Sequence, residues 1–185
     1  MTFGDRVVGA LKLDANTFED IERDPTAMAQ AVAIIALASL ASNLGQIWRL
    51  GFGTMLIGVC SSLVGYVLWA VVVWVAGTKL MPDPATKADF PETFRTIAFA
   101  ASPGLIGVVT IIPFLGWLLM LVLTPIILLW SIAAMVIAVR QVLDYTETFK
   151  AVIVVLIGFA VYLVFWTTMA MLSFGAAVVG GIFGR

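Results

Sequence analysis

Residues 94–145 read FRTIAFAASPGLIGVVTIIPFLGWLLMLVLTPIILLWSIAAMVIAVRQVLDY. No charged side chain lies between Arg95 and Arg140, and the strong interruptions are Pro103–Gly104 and Pro113 with Gly116. A bilayer core about 30 Å thick takes about 20 apolar residues per helical crossing, so this run is too long for one. It divides into two spans joined by a tight, uncharged turn at Pro113 and Gly116. At about 1.5 Å per residue, a helix from Arg95 to Ile112 is roughly 27 Å long and one from Phe114 to Val139 roughly 39 Å. The first is barely long enough to cross, and the second is too long for an arm inserted halfway. Both are expected to cross fully, bent at Pro103 and Pro125, which returns Arg95 and Arg140 to one side.

The rest of the chain repeats this pattern. Of 185 residues, 62% are hydrophobic and 11% charged, and the mean hydropathy is +1.11. Soluble domains carry about 25% charged residues. The predicted class is an all-α integral membrane protein, a five-span bundle with spans at about 26–48, 54–80, 94–112, 114–139 and 151–174. Residues 26–185 make up the membrane domain, and residues 1–25 a charged N-terminal segment. In that segment Phe3, Val7, Val8 and Leu11 sit at helical spacing, which suits a short amphipathic helix on the membrane surface or, equally, a frayed polar tail. Thr17 with Asp20 resembles a capping box. Asp24 followed by Pro25 reads as the start of the first span, and Pro82 and Pro84 end the second. The spacing leaves open whether the glycine-rich residues 175–185 prolong the last helix.

Orientation follows from the cations. Arg6, Lys12, Arg23, Lys79, Lys87, Arg95, Arg140 and Lys150 fall on one side of a five-span chain, Arg49 and Arg185 on the other. The positive-inside rule then puts the N-terminus in the cytosol and the C-terminus outside. All eleven carboxylates lie on the cytosolic side as well. A net charge of -1 without a basic cluster argues against nucleic acid as a partner. The nine charges of the first 27 residues are unlike a cleavable signal peptide.

The interiors of the spans carry no Asp, Glu, Lys, Arg or His. Ion-coupled transporters and proton relays keep such groups at depth. With no histidine in the chain, a serine such as Ser61 or Ser131 has no base to activate it. No enzymatic activity, cofactor or metal is expected. The single cysteine, Cys60, lies in an apolar run and behaves as a small hydrophobe.

Three groups of residues stand out, and the first and third are candidate sites. Ser39, Ser42, Asn43 and Gln46 form a polar stripe on one face of the first span; it either hydrogen-bonds across helices or lines a hydrophilic path. Thr54, Gly58, Ser61 and Gly65 offer a small-residue face to the bundle or to a second copy in a homo-oligomer. At the cytosolic ends, Glu92 with Arg95 and Arg140 with Asp144 are spaced for ion pairs, with Gln141 and Tyr145 beside them. That cluster either anchors helix ends or forms a docking surface. Trp48 and Trp117 mark the outer boundary.

The order Phe94, Arg95, Ala98 to Ala101, Pro103, Gly104, then Ile112, Pro113, Gly116, Trp130 and Ala138-Val-Arg-Gln141 with Asp144-Tyr145 resembles the core of a Yip-one domain. Upstream, Phe18, Ile21, Asp24, Pro25, Gln30 and Ala31 resemble the entry segment of bacterial members. The resemblance covers about residues 15–170 and implies a five-span bundle with a cytosolic N-terminus. It also implies kinship with eukaryotic proteins that bind prenylated Rab/Ypt GTPases and act in vesicle traffic or membrane shaping. This sequence lacks their long N-terminal region and its acidic, tyrosine-bearing motif, so a compact type in the bacterial cytoplasmic membrane is expected, without such GTPases. The expected role is a non-enzymatic scaffold or adaptor that engages a protein partner or membrane lipids through its cytosolic face. The alternative is a passive transporter, channel or lipid-handling protein, favoured by the polar stripe and the proline breaks.

Overall fold

The computed structural model describes the backbone of residues 1–183 and the side chains of residues 1–171, and among the described residues every regular element is helical. Two short helices, α1 (Phe3–Leu11) and α2 (Ala15–Arg23), precede the apolar part of the chain. There follow α3 (Ala27–Asn43), a short α4 (Gln46–Leu50) and α5 (Phe52–Val75), whose last turn widens into a π-helix at Ala76–Leu80. After a connector come α6 (Phe90–Phe99), a 3-10 helix (Ser102–Ile111), α7 (Leu115–Val142) and α8 (Thr148–Phe183). The glycine-rich tail thus prolongs the last helix as far as Phe183. Gly184 and Arg185, the latter assigned to the outer face, lie outside the described residues.

By length and composition three helices can cross a membrane: Phe52–Leu80, Leu115–Val142 and Thr148–Met171. The pair Phe90–Phe99 and Ser102–Ile111 makes a fourth if it counts as one span, bent by 45°. The bend expected at Pro103 is thus a break that divides the third span into two pieces. The chain leaves α-helical bonding at Ala100 and Ala101, and Pro103 stands in the first turn of the 3-10 helix that follows, where its missing N–H costs no helix bond. Pro125, by contrast, sits inside α7 without dividing it. The shorter apolar helix α3, 17 residues long, continues through Leu44 and Gly45, both in right-handed helical conformation, into α4.

Several helix starts differ from the expected ones. Asp24 is the C-cap of α2, and its carboxylate receives Thr26 N at 2.9 Å, so α3 begins at Ala27 behind a turn. Thr17 lies inside α2, where its hydroxyl donates to the real cap, Asp14, at 2.8 Å. Complete capping boxes form instead at Thr2 with Asp5 and at Asp89 with Glu92. In each, two of the N–H groups left over at a helix start are satisfied reciprocally.

The core runs through α2, α3, α6, α7 and the first turns of α8, and much of it is alanine: Ala31, Ala98, Ala134, Ala138 and Ala151 are fully buried. Small side chains let these helices approach closely, and Phe18, Ile21, Ile34, Ile97 and Phe99 fill what remains. Around α5, α7 and α8 the outer faces stay apolar and uncovered, as at Ile57, Val64, Val122, Leu129 and Val164. A surface of this kind suits lipid and not water. Trp69 joins α5 to α8 by edge-to-face contacts with Tyr162 at 5.3 Å and Phe159 at 6.5 Å.

The turn before α7 is a three-residue one. Leu115 N donates to Pro113 O at 2.7 Å across Phe114, which is held at φ 61°. This brings the start of α7 so close to the 3-10 helix that a Cβ on Gly116 would collide with Val109 O and lie 2.9 Å from Thr110 Cα. Both obstacles are backbone and cannot swing aside. Replacing Gly116 with Val is therefore expected to cost about 1–3 kcal/mol, as overpacking does. A denaturant titration in detergent micelles should show this loss; a variant as stable as the parent would mean that the hairpin is looser than described.

Candidate functional site

The charges gather at one end of the bundle, where α1 and α2 lie against α3, α6 and α7. Arg6 is 1% exposed. Its Nε and Nη2 donate to Asp20 Oδ2 at 3.0 and 2.9 Å, Nη1 donates to Gln30 Oε1 at 2.9 Å, and Nη2 also reaches Asp24. One guanidinium thus ties α1, α2 and α3 together, using the planar fork that lysine lacks. The Thr26 hydroxyl and the Arg6 guanidinium hold the Asp24 carboxyl below the usual carboxylate range. Trp130 of α7 adds a bond from its indole N–H to Leu11 O at 2.9 Å.

Arg95 is buried too. Its Nε donates to Ile21 O at 3.0 Å and to Glu22 O at 2.8 Å, and Nη2 also meets Glu22 O. These are carbonyls of the last turn of α2, which have no partner within their own helix. A fixed positive charge there also complements the negative end of the helix dipole. Glu92 forms the expected ion pair with Arg95, at 3.8 Å, and also closes its capping box with Asp89.

Arg140 and Asp144 do not form the expected pair. Arg140 donates to Tyr145 O at 3.3 Å and Thr146 O at 3.4 Å, folding over the chain as it leaves α7. That exit is a Schellman turn: Asp144 N bonds Gln141 O and Tyr145 N bonds Arg140 O, both at 3.0 Å, with Asp144 at φ 52°. The turn drives the Tyr145 ring inward, where its hydroxyl donates to Met81 O at 2.7 Å. Thr86 Oγ1 donates to Leu143 O at 2.7 Å, and Lys150 pairs with Asp83. Connector, α7 and α8 are knit into one layer.

Between α2 and the end of α7 lies a polar cavity of about 200 Å³. Glu19, Glu22 and Arg23 line one wall, and Arg140, Gln141, Asp144 and Tyr145 the other. Gln141 Nε2 donates across it to Ala15 O at 3.4 Å. Burial, with Asp144 and Glu92 nearby, pushes the Glu22 carboxyl up to about 7. Burial and Glu92 raise Asp144 in the same direction. The structure therefore brings Arg140, Gln141 and Asp144 to one cavity, turns Arg95 and the Tyr145 hydroxyl inward as fastenings, and leaves Glu92 at the edge.

The sequence reading missed Arg6 and Glu22. Arg6 falls at helical spacing between Phe3 and Ala10, and a cation on an apolar stripe needs partners. Nothing local marks Glu22, whose importance comes from α7 packing beside it.

The polar stripe is closed by hydrogen bonds at Ser39 and Asn43, while Ser42 and Gln46 border an open cleft beside α4. Asn43 Nδ2 donates to Ser39 O at 2.8 Å and to Ser62 Oγ of α5 at 3.2 Å, and Gln46 Nε2 donates to Asn43 Oδ1 at 2.5 Å. Gly58 leaves room for this: a Cβ there would strike Asn43 Oδ1 and sit 2.8 Å from Gln46 Nε2. Ser42 faces away, bonding Gly104 O at 3.3 Å. The four residues divide between two helix contacts and line no common channel.

An all-helical bundle with long, uncovered apolar helices and charge at one end defines an integral membrane protein. The Yip1 domain profile matches residues 9–182, so the chain belongs to the Yip1 domain family. No curated protein and no solved structure matches it significantly.

The Glu22 carboxyl carries a pH signature. Its usual value is 4.5 and its folded value about 7. An acid raised on folding contributes stability that is whole below about pH 4.5 and is lost as pH rises through about 7. The depressed Asp24 acts only below that window. Thermal unfolding in detergent should show stability falling between pH 5 and pH 8, and Glu22→Gln should flatten that slope. An unchanged slope in the variant would refute the assignment.

Proposed function

We propose that this Yip1-domain protein is a non-enzymatic membrane scaffold whose charged end docks a cytosolic protein partner. The observation that carries the reading is the polar cavity between α2 and α7. It presents Glu19, Arg23, Arg140 and Asp144 on a base held by buried fastenings. Carboxylates and guanidinium groups close together, in a cleft already formed, suit a protein segment bearing both signs of charge. The hydrogen bonds that join Asn43 to Ser62 and Gln46 weaken the alternative of a passive transporter or channel.

In this reading the bundle crosses five times: α3 with α4, α5 with its π-turn, the bent α6 and 3-10 pair, α7 and α8. Eight of the ten cations then lie in the cytosol of a bacterial cell. The helix α1, with Val8 49% exposed beside the buried Arg6, rests against the inner leaflet.

Cysteines placed one at a time test both parts. In a Cys60→Ala background, Arg49→Cys should react with an impermeant thiol reagent only from outside intact cells, and Glu147→Cys only in inside-out vesicles. Labelling of both from one side would exclude five spans. A photocrosslinker attached at Gln141→Cys should then capture a discrete partner, and capture should fall at least tenfold with Arg140→Glu. Recovery of the uncrosslinked chain alone, in repeated preparations from its native membrane, would refute the adaptor role.

A further inference from the structure

At the end away from the docking cavity, a cleft of about 250 Å³ opens between α4 and the Pro113 turn. Gln46 and Arg49 stand on one wall, Thr110, Pro113 and Trp117 on the other. The cleft is held open by fixed contacts. Gly45 N donates to Thr110 Oγ1 at 3.0 Å, and Trp48 Nε1 donates to Ile111 O at 2.8 Å, so α4 is pinned to the end of the 3-10 helix.

Arg49 is unlike the arginines of the other end. It is exposed, and among the described residues its guanidinium has neither an ion pair nor a hydrogen bond. Nor can this end supply one. No Asp or Glu occurs between Asp24 and Asp83 or between Glu92 and Asp144, the segments from which the cleft is built. The segments that build the cleft therefore leave Arg49 without a countercharge of their own. The surroundings point to a source: Trp48 is 60% exposed, Trp117 52% and Phe114 79%, all apolar or indole surface beside the uncovered Leu118 and Leu121 of α7. Indole rings settle at the headgroup level of a bilayer, and the anion abundant at that level is the lipid phosphodiester.

We infer that this cleft is a binding site for an anionic phospholipid. The phosphate sits on Arg49 at the rim, and an acyl chain lies against Trp117 and the apolar face of α7. Guanidinium and phosphate match in charge, and the paired N–H donors of the planar guanidinium suit the two free oxygens of a phosphodiester. A zwitterionic lipid carries its own ammonium beside the phosphate and gains less from Arg49. The site depends on α7 reaching the bilayer surface and is independent of the docking cavity, so either can fail without the other.

Native mass spectrometry of the full chain from mild detergent, with added phosphatidylglycerol or phosphatidylcholine, tests it. The parent should retain phosphatidylglycerol about tenfold better than does Arg49→Gln, since a hydrogen bond to a charged group is worth about that factor. Arg49→Lys should recover part of the binding. Lys12→Gln, at the opposite end, should bind like the parent, and unchanged thermal unfolding of Arg49→Gln would exclude misfolding as the cause. Equal retention of the two lipids by the parent, or undiminished binding by Arg49→Gln, would overturn the proposal. So would displacement of the lipid by millimolar inorganic phosphate, which would make the cleft a simple anion site.

Discussion

The bond from a buried arginine to the frayed end of a short helix holds the charged end of this protein in place. Arg95 is 5% exposed, and the carbonyls of Ile21 and Glu22 surround its guanidinium. A charge in such a position must be fully partnered, because removing its partners from a dry site costs about 3–5 kcal/mol. The dependence runs both ways. Without Arg95, the last carbonyls of α2 would face α6 unpaired; without α2, Arg95 would be a bare cation at the end of a span. Arg6 repeats the device one helix earlier, closing on Asp20, Asp24 and Gln30. Two nine-residue helices, too short to persist alone in water, thereby become part of the bundle.

That attachment shapes what the protein presents. Phe18 and Ile21 of α2 are fully buried, so its other face, with Glu19, Glu22 and Arg23, is fixed in direction. The Schellman turn at Asp144 does the same for the end of α7, with Tyr145 drawn beneath it onto Met81 O. The cavity between the two is formed before any ligand arrives. Pre-formed polar surfaces bind with less ordering cost than loops that must fold on contact. The span interiors follow the opposite logic. There the polar atoms of Asn43, Gln46 and Ser62 are turned onto one another and onto backbone carbonyls, which suits packing and not passage.

The membrane class was legible because it depends on run length and charge placement, which survive any detail of packing. Pro113 and Gly116 were legible as a turn for a similarly local reason. The break in the third span was only half legible. Pro103 announces a bend, but a change to 3-10 winding over Ser102–Ile111 depends on contacts with α3 and α7 that no local pattern encodes. The site was harder still. Arg95, Arg140, Asp144 and Tyr145 were recognised as a group, yet their spacing suggested ion pairs at helix ends. The structure keeps the Glu92–Arg95 pair but turns most of the Arg95 donors onto the end of α2, and it gives Arg140 to loop carbonyls in place of Asp144. Arg6 and Glu22 became visible only once α2 was seen to lie between α6 and α7.

Hydrogen–deuterium exchange in lipid nanodiscs, comparing the parent with Arg95→Gln, tests the central claim that Arg95 fastens α2 to the bundle. The account predicts slow exchange of residues 17–23 in the parent, comparable to α6, and loss of most of that protection in the variant while α5 and α7 are unaffected. Fast exchange of α2 in the parent, or equal protection in both proteins, would contradict it.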